Sequence, residues 1–213
     1  MRLEAVRNLS SVRTDRNVCA TEFSGADIPV CLSCKPILKP LHAPPIHIRR
    51  YEPTDIDAIY EAVCESRAEL SPWMPWCHES YSRQDSVGWV ESRPAAWDRN
   101  EEWSFVIVDA SGRILGACGL HRLDLRNGVG ELGYWVRSSA TRQGVASEAV
   151  RQVAEWAFHE QRLHRIEIVT AVENLPSQRV AEKAGAVREG VLRQRIWLHG
   201  RRQDGVLWAL VKD

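Results

Sequence analysis

The sequence predicts a mixed α/β fold, in which one mostly antiparallel sheet of about seven strands is flanked by about four helices. Two observations lead to this prediction. Apolar residues alternate with the period of a strand in some segments and follow the 3.6-residue period of a helix in others. The resulting order is strand, two helices, three strands, helix, strand, helix and two strands. A strand–helix–strand step beside three hairpin-connected strands indicates a mixed sheet with helices packed on it.

The first strand and the first two helices are predicted before residue 100. Ile46–Tyr51 alternates in the manner of a strand. Thr54 can cap the helix that follows, because its hydroxyl can accept a hydrogen bond from a first-turn N–H group. A second helix is predicted to start after Ser82, and Pro94 is expected to end it or kink it. The first helix carries its apolar residues at helical spacing, namely Ile56, Ile59, Tyr60 and Val63.

Three strands in succession are predicted in the middle of the chain. Trp103–Val108 and Ile114–Leu120 are rich in β-branched and aromatic residues, and the turn residues 109–112 separate them. Asn127-Gly128 is a strong hairpin signal before the third strand, Val129–Val136. Such short connections predict antiparallel pairing.

The C-terminal part alternates between helix and strand. A long helix is predicted from Gln143 to His159, followed by a short strand at Ile166–Thr170. Asn174 can cap a further helix, and Gly185 stands at the position that ends it. Two final strands are predicted at 187–195 and 205–211, with the polar connection 198–204 between them.

Length and patterning predict one folded domain with an extension. The chain has 213 residues, which suits a single domain. Residues 1–45 show neither the strand period nor the helix period and end in a proline-rich stretch. We therefore expect residues 1–45 to be a poorly ordered N-terminal extension and residues 46–213 to be the single domain.

The composition argues against several classes of protein. Lys and Arg total 28, as do Asp and Glu, so the formal net charge is zero, which disfavours a dedicated nucleic-acid binder or a polybasic membrane anchor. No stretch approaches the roughly 18 apolar residues of a membrane span, and the N-terminus lacks the apolar segment of a secretory signal. These observations predict a cytoplasmic protein that binds neither nucleic acid nor membrane.

The spacing of two cysteines gives a weak indication of a metal site. The chain has six cysteines, and Cys31 and Cys34 have the spacing of zinc ligands. No second pair of cysteines or histidines follows them at the required spacing, so free thiols and no metal are the expectation. A zinc or redox module built on these two cysteines would also leave the motifs described below unexplained.

The segment from Gly133 to Ser147 carries the strongest chemical signal. A strand ends, a short polar loop follows, and a helix begins at small residues. Unpaired N–H groups and a partial positive charge at a helix start suit a phosphate or pyrophosphate. Gly144 and Ala146 permit close approach of a ligand, and Arg142 can add charge. The alternative is a helix whose small residues serve packing alone.

Four motifs in the right order resemble the GNAT superfamily of acetyl-CoA-dependent N-acyltransferases. They are Gly130-Glu-Leu-Gly-Tyr-Trp-Val136, Arg142-Gln-Gly-Val-Ala146, Asn174-Leu-Pro-Ser177 and Ala181-Glu-Lys-Ala-Gly185. The branch most similar is the RimJ/RimL type of ribosomal-protein N-terminal acetyltransferases, which also resembles this chain at Leu70–Trp76. The resemblance covers about 46–213 and implies the twisted GNAT sheet. One departure is Thr141, which stands where the superfamily's pyrophosphate loop usually begins with Gln or Arg.

The resemblance implies acetyl-CoA as cosubstrate and no metal. The pyrophosphate is expected at Arg142–Ala146 and the pantetheine arm along Tyr134–Val136, with Asn174 hydrogen-bonding that arm as well as capping its helix. The full set of implied cofactor-binding residues is Tyr134, Trp135, Val136, Arg142, Gln143, Gly144, Val145, Ala146, Ser147 and Asn174.

Two catalytic residues are predicted from the same resemblance and from the needs of the reaction. Glu131 is the candidate base that takes the amine proton through a water, and its alternative is an exposed strand glutamate. Ser177 is the candidate proton donor to the CoA sulfur, and its alternative is an ordinary first-turn serine. His78 and His121 are further candidates for the base.

The resemblance also implies that the loop that contains Trp73, Trp76 and His78 borders the acceptor site. Aromatic walls with a few polar groups suit a peptide terminus or a small amine, whereas core packing is the alternative for at least one tryptophan.

The predicted function is therefore acetyl transfer to a primary amine, with a protein N-terminal α-amine as the favoured acceptor. The alternatives are a small-molecule amine (a polyamine, an antibiotic or an amino-acid derivative) and an acetyl-CoA-binding protein without catalysis. Surface tryptophans would also suit a homodimer.

Overall fold

The structure is a computed structural model that describes residues 44–212. The expectations for the first 43 residues, including the extension and the pair Cys31 and Cys34, lie outside the described residues. The strands are β1 Ile46–Arg50, β2 Trp103–Asp109, β3 Ile114–Asp124, β4 Val129–Val136, β5 Arg165–Ala171, β6 Val187–Leu198 and β7 Arg201–Val211. The helices are α1 Ile56–Leu70, α2 Arg83–Asp98, α3 Val145–His159 and α4 Leu175–Ala184, with short 3-10 turns at Pro53–Asp55 and Ser138–Ala140.

All seven strands form one sheet in the order β1-β2-β3-β4-β5-β7-β6. Every neighbouring pair is antiparallel except β4 and β5, which are parallel. The predicted mixed, mostly antiparallel sheet with four helices is thus confirmed. The parallel pair follows from α3, because a helix that connects two adjacent strands returns the chain in the same direction.

The two faces of the sheet are covered by different helices. Helices α3 and α4 pack their small and branched residues against one face, where Ala149, Val150 and Val153 are fully buried. Helix α1 covers the other face near β2 and β3, with Ile59 and Val63 in a second buried cluster. The sheet therefore has one continuous core and a second face that is only partly filled.

The start of α1 differs from the prediction. Thr54 does not cap it; the buried Asp55 accepts a hydrogen bond from the backbone N–H of Glu52 at 2.8 Å. Asp55 also pairs with Arg49 of β1 at 2.7 Å. Pro53 opens a 3-10 turn ahead of the helix. Glu52 and Asp55, and not Thr54, form the capping box of this turn.

Helix α2 begins after Ser82 as predicted, but Pro94 does not end it. Ser82 and Asp85 form a capping box, and the helix continues to Asp98. Trp97 packs edge-on against Phe105, with ring centroids 5.2 Å apart, and lies 5.5 Å from the ring of Trp156. This packing stabilises the last turn of α2 and so offsets the loss of the backbone hydrogen bond that Pro94 cannot donate.

The final hairpin is longer than predicted. Residues 201–204 belong to β7 rather than to a polar connection, and the turn consists of His199 and Gly200 alone. Both turn residues have positive φ, 50° and 74°, as a tight two-residue hairpin turn requires. Polar residues are tolerated in this part of the hairpin because Arg201 and Arg202 are exposed and Gln203 and Asp204 are only half-buried.

Between residues 44 and 212, no helix combines the length and the apolar character that crossing a membrane requires.

Candidate active site

The loop before α3 has the geometry of an anion site. Arg142 and Gly144 both have positive φ, 62° and 83°, and the helix begins directly after them. The first helical hydrogen bond runs from the N–H of Glu148 to the carbonyl of Gly144 at 3.0 Å. In the described part of the chain, the N–H groups of residues 145–147 donate to no acceptor. These unpaired N–H groups, at the positive end of the helix, are suited to bind a phosphate.

Two side chains of the loop are hydrogen-bonded to its backbone, and one is not. The hydroxyl of Thr141 donates to the carbonyl of Ser138 at 2.9 Å, and the amide of Gln143 donates to the carbonyl of Ser139 at 3.0 Å. Within residues 44–212, no hydrogen bond or ion pair holds the exposed guanidinium of Arg142. Arg142, and not Thr141, is therefore the loop side chain that is available to a ligand.

Residues of helix α1 form hydrogen bonds and ion pairs with the segment that precedes this loop. The N–H of Ser138 donates to Ser66 Oγ at 2.9 Å, and the N–H of Ser139 donates to Glu65 Oε1 at 2.8 Å. Arg137, whose side chain is only 4% exposed, contacts Glu65 through a hydrogen bond of 2.8 Å and pairs with Glu61 at 2.8 Å. The Arg137 guanidinium lowers the pKa of Glu65 to about 2.

Strands β4 and β5 diverge at the centre of the sheet. They pair only from Val129 and Arg165 to Glu131 and Glu167. Beyond Glu131, β4 keeps its pairing with β3, and no other strand in the described range 44–212 pairs with it on its β5 side. Residues 132–136 therefore expose backbone hydrogen-bonding groups in the gap between the two strands.

A tyrosine and a serine meet at this gap. The hydroxyl of Tyr134 lies 2.9 Å from Ser177 Oγ and donates to the Ser177 carbonyl at 2.9 Å. Burial raises the pKa of Tyr134 to about 12, so the phenol stays protonated. Asn174 Oδ1 accepts from the N–H of Ser177 at 3.1 Å, so its predicted capping role is confirmed.

Glu131 lies on the opposite face of β4 in a cluster of charges. Arg122 and Arg195 each approach its carboxylate at 2.7 Å, and His121 Nε2 lies at 3.4 Å. Burial raises the pKa of Glu131, but the hydrogen bonds from His121 and Arg122 outweigh it and lower the pKa to about 2. Glu131 is only 13% exposed, so it is not the solvent-facing strand glutamate of the alternative interpretation.

A cavity of about 710 Å³ lies on the same face of the sheet as Glu131. His121 lines this cavity, whereas Glu131 lies behind His121 and does not. Of the predicted acceptor residues, Trp76 and His78 line the cavity, and Trp73 does not. Further lining residues that the sequence had not singled out include Tyr51, Tyr81, Asp85 and Trp89.

The contacts of Glu131 with His121 and Arg195 are only partly predictable from the sequence. Hairpin pairing brings His121 opposite Glu131, but a bulge between His121 and Asp124 hides this register from a simple count. Arg195 is 64 residues away from Glu131 in the chain, and no local pattern indicates their contact.

Across residues 44–212, no group of three or more His, Cys, Asp or Glu side chains is arranged to hold a metal ion.

Comparisons with known proteins agree with this geometry. A family model described as an acetyltransferase (GNAT) domain matches residues 46–187. The "Putative ribosomal N-acetyltransferase YdaF" of Bacillus subtilis is 30% identical over 172 residues, covering 78% of this chain and 91% of the relative. The ribosomal-protein-serine acetyltransferase of Escherichia coli is 25% identical over 158 residues, covering 74% of this chain and 88% of the relative.

A solved structure shows the same fold. RimL, a ribosomal L7/L12 α-N-protein acetyltransferase solved in complex with coenzyme A, matches with a TM-score of 0.73 at 20% identity. The match covers 82% of this chain and 97% of RimL. Because the family model spans more than half of the chain, and because the sheet order, the diverging strands and the α3 loop occur together, this chain belongs to the GNAT family of acetyltransferases, in its RimJ/RimL-like branch.

Proposed function

We propose that this enzyme transfers the acetyl group of acetyl-CoA to a primary amine, and that the amine is the N-terminal α-amine of a protein. The amine attacks the thioester directly while both substrates are bound. The observation that carries the proposal is the double role of β4. One face of this strand borders the cavity at Gly133, and the other presents Tyr134 to Ser177 in the gap beside β5.

Acetyl-CoA has a matching surface on this chain. The unpaired N–H groups of residues 145–147 and the guanidinium of Arg142 bind the pyrophosphate. The exposed backbone of residues 134–136 pairs with the pantetheine arm, which carries amide groups of its own. This route leads the thioester to the point where the cavity meets β4.

The amine must lose a proton to react, and His121 and Glu131 share this task in the proposal. A carboxylate with a pKa of about 2 is a weak base at neutral pH. His121 lines the cavity and contacts Glu131, so His121 takes the proton and Glu131 orients the imidazole. Glu131 thus acts as a positioning residue, and its direct role as base remains the competing prediction.

The leaving sulfur needs a hydrogen-bond donor, and Ser177 supplies it. Because the Tyr134 phenol donates its single proton to the Ser177 carbonyl, the Ser177 hydroxyl, 2.9 Å away, donates to the phenol oxygen and turns its proton to the sulfur when acetyl-CoA is bound. The positive end of α4 adds to the stabilisation of a thiolate.

A peptide library tests the acceptor class. The purified protein is incubated with acetyl-CoA and peptides that differ in their first residue, and released CoA is measured with a thiol reagent. The same peptides with a blocked N-terminus are the control, and a blank without acceptor corrects for the exposed Cys64. We expect CoA release only with free α-amines. Equal release from blocked peptides that contain lysine would contradict the α-amine assignment.

The donor site is tested by Gly144→Trp. A bulky side chain at this position occupies the phosphate space, so CoA affinity measured by calorimetry falls at least about tenfold. Gly112→Trp is the matched control, since Gly112 also has positive φ (84°) but lies in the β2–β3 turn with open space around it. Undiminished CoA affinity in a folded Gly144→Trp protein would exclude this site.

A small-molecule amine is a second candidate acceptor, and the cavity favours it. A volume of about 710 Å³ falls within the range of small-ligand pockets. Turnover of free amines with no peptide turnover would select this candidate.

A further inference from the structure

We infer that the acceptor is a monoamine carried by an aromatic or comparably bulky apolar group, and that this group fills the cavity beside β4. The inference rests on the proposed function, because it names the chemical class of the acceptor at the same site.

Aromatic rings form the walls of the cavity. The ring of Trp76 lies 5.9 Å from those of Tyr81 and Trp135, and Trp89 lies 6.4 Å from Tyr51. Trp76 and Trp89 are 39% and 42% exposed, so two large rings remain without full coverage. Another aromatic ring in the cavity would cover them in offset or edge-to-face packing.

Small residues create part of the room. On the sheet, Gly133 and Ala117 line the cavity, and a Cβ added to Gly133 would meet only the ring of His121, at 3.4 Å. On the opposite wall, Gly88 lies in the middle of α2, and a Cβ added there would meet no atom within 4 Å. Glycine inside a helix costs about 1 kcal/mol relative to alanine, so helix stability does not explain it. The space that it leaves belongs to the cavity.

The lining offers few charges to an acceptor. Glu102 pairs with Arg93, and Oδ2 of Asp85 accepts from the N–H and the hydroxyl of Ser82, at 2.8 and 2.7 Å. A polyamine would bring two or more additional ammonium groups into this mostly apolar space, where the other oxygen of Asp85 can receive only one of them, which is unfavourable. A single amine has a place beside Gly133, where an added Cβ would lie 3.4 Å from the ring of His121.

The first test is a comparison of acceptors. CoA release is measured with tryptamine, with a peptide that starts with Phe, with the same peptide starting with Ser, and with spermidine. We expect kcat/KM for one of the two aromatic acceptors to exceed that for the Ser peptide and for spermidine by at least about tenfold. The better of the two aromatic acceptors tells a free amine from a peptide terminus. A preference for spermidine or for the Ser peptide overturns the inference.

The second test fills the cavity. Gly88→Leu projects a side chain into it, so the ratio of kcat/KM for the aromatic acceptor to that for propylamine should fall at least about tenfold. Gly190→Leu is the matched control, since an added Cβ there also meets open space but lies on β6, away from the cavity lining. Trp76→Ala, at a partly exposed position, should lower the same ratio.

Binding of tryptamine, measured by calorimetry, separates the inference from the proposed function. Turnover with a ratio that Gly88→Leu does not change would leave the proposed function in place and overturn the inference. Tryptamine binding that Gly88→Leu abolishes, without turnover of any amine, would overturn the proposed function and retain the ligand class of the cavity.

Discussion

His121 and Glu131 lie opposite each other on neighbouring strands, but their environments differ. His121 is about one-third exposed and faces the cavity, whereas Glu131 is enclosed by His121 and two arginines. A group that faces the cavity can reach an amine that is bound there, whereas an enclosed carboxylate can act only through its neighbours. This difference is why we propose His121 as the base and Glu131 as the residue that positions it.

Substitution of each residue should reveal this division. His121→Gln removes the base, and kcat should fall about 10²–10⁴-fold, with a deficit that shrinks at alkaline pH, where more of the amine is already neutral. Glu131→Gln keeps the histidine and should lower kcat less, by about 10–100-fold, with KM for acetyl-CoA unchanged. Steady-state kinetics across pH measures both effects.

The opposite ranking would restore Glu131 as the base. If Glu131→Gln loses activity in the range given for a base while His121→Gln retains wild-type turnover, the carboxylate itself takes the proton. His78 is the control histidine, because it lines the cavity but pairs with Ser80 and lies 3.9 Å from Asp85 instead of near Glu131.

Ser177 and Tyr134 should behave as a donor and its support. Ser177→Ala removes the hydrogen bond to the leaving sulfur, so kcat should fall about tenfold or more, and less with acyl donors whose thiolate leaves more easily. Tyr134→Phe keeps the ring and removes only the hydroxyl, so a smaller loss is expected. Equal losses with all acyl donors would contradict the proton-donor role of Ser177.

Sequence motifs identify single residues well where the function depends on local order. Asn174 and Ser177 are three positions apart, and a cap at that spacing is readable from the chain. The partners of Glu131 come from β3 and from β6, and the register of distant strands decides their contact. Long-range pairing is therefore what the sequence could not supply at this site.

Helix α1 contacts both parts of the proposed active site. From its C-terminal half, Glu65 and Ser66 accept hydrogen bonds from the turn before the loop that we propose to bind the pyrophosphate. Arg67 donates to the carbonyls of Glu79 and Tyr81, at 2.9 and 3.1 Å, and so anchors the loop that carries Trp76. One helix thus fixes the proposed donor loop and the proposed acceptor loop relative to each other.

Removal of Arg137 should weaken this arrangement. Arg137→Met keeps the buried volume but leaves Glu65 without its partner, so the free energy of unfolding should fall by about 3 kcal/mol at pH 7. Chemical denaturation measures it. Arg99→Met is the control, since the Arg99–Glu101 pair is exposed and should contribute nothing measurable.

The same ion pair predicts a pH dependence. The pKa of Glu65 falls from its ordinary 4.5 to about 2 on folding, so its stabilising contribution is complete above about pH 4.5. This contribution is lost as the pH falls toward 2, because the carboxyl is then protonated in both states. The stability difference between wild type and Glu65→Gln should therefore shrink as the pH is lowered from 5 to 2. A difference that stays constant over this range would show that another interaction dominates.

Periodicity predicts which elements exist more reliably than it predicts where they end. The four helices and seven strands follow from the pattern, because apolar residues recur in most of them with the period of a helix or of a strand. The ends depend on tertiary packing: α2 passes Pro94 because Trp97 packs on Phe105. The final hairpin likewise extends to a two-residue turn that its polar sequence does not suggest.

The sheet order contains information that the linear order of elements does not. Strand β7 lies between β5 and β6, so the last hairpin places β7 inside the sheet and β6 at its edge. Arg195 lies in the irregular stretch of β6 between Leu192 and Ile196, and its side chain reaches Glu131 of β4 and completes the charge cluster. Two of the exposed tryptophans, Trp76 and Trp89, belong to the cavity, and Trp197 on β6 is left as the candidate for the predicted homodimer surface.

The enzyme should fold and act without the residues that precede β1. The sheet begins with β1, which pairs with β2 from Ile46 and Asp109 onward, and Gln152 of α3 donates to the carbonyl of Ile46 at 3.1 Å. A chain that begins at Ala43 retains all of these contacts, so it should unfold at the same denaturant concentration as the full chain and keep its turnover. A chain that begins at Tyr51 lacks β1 and the partner of Asp55, and it should be strongly destabilised. Loss of folding or activity in the chain that begins at Ala43 would show instead that the preceding residues pack on the domain or complete its active site.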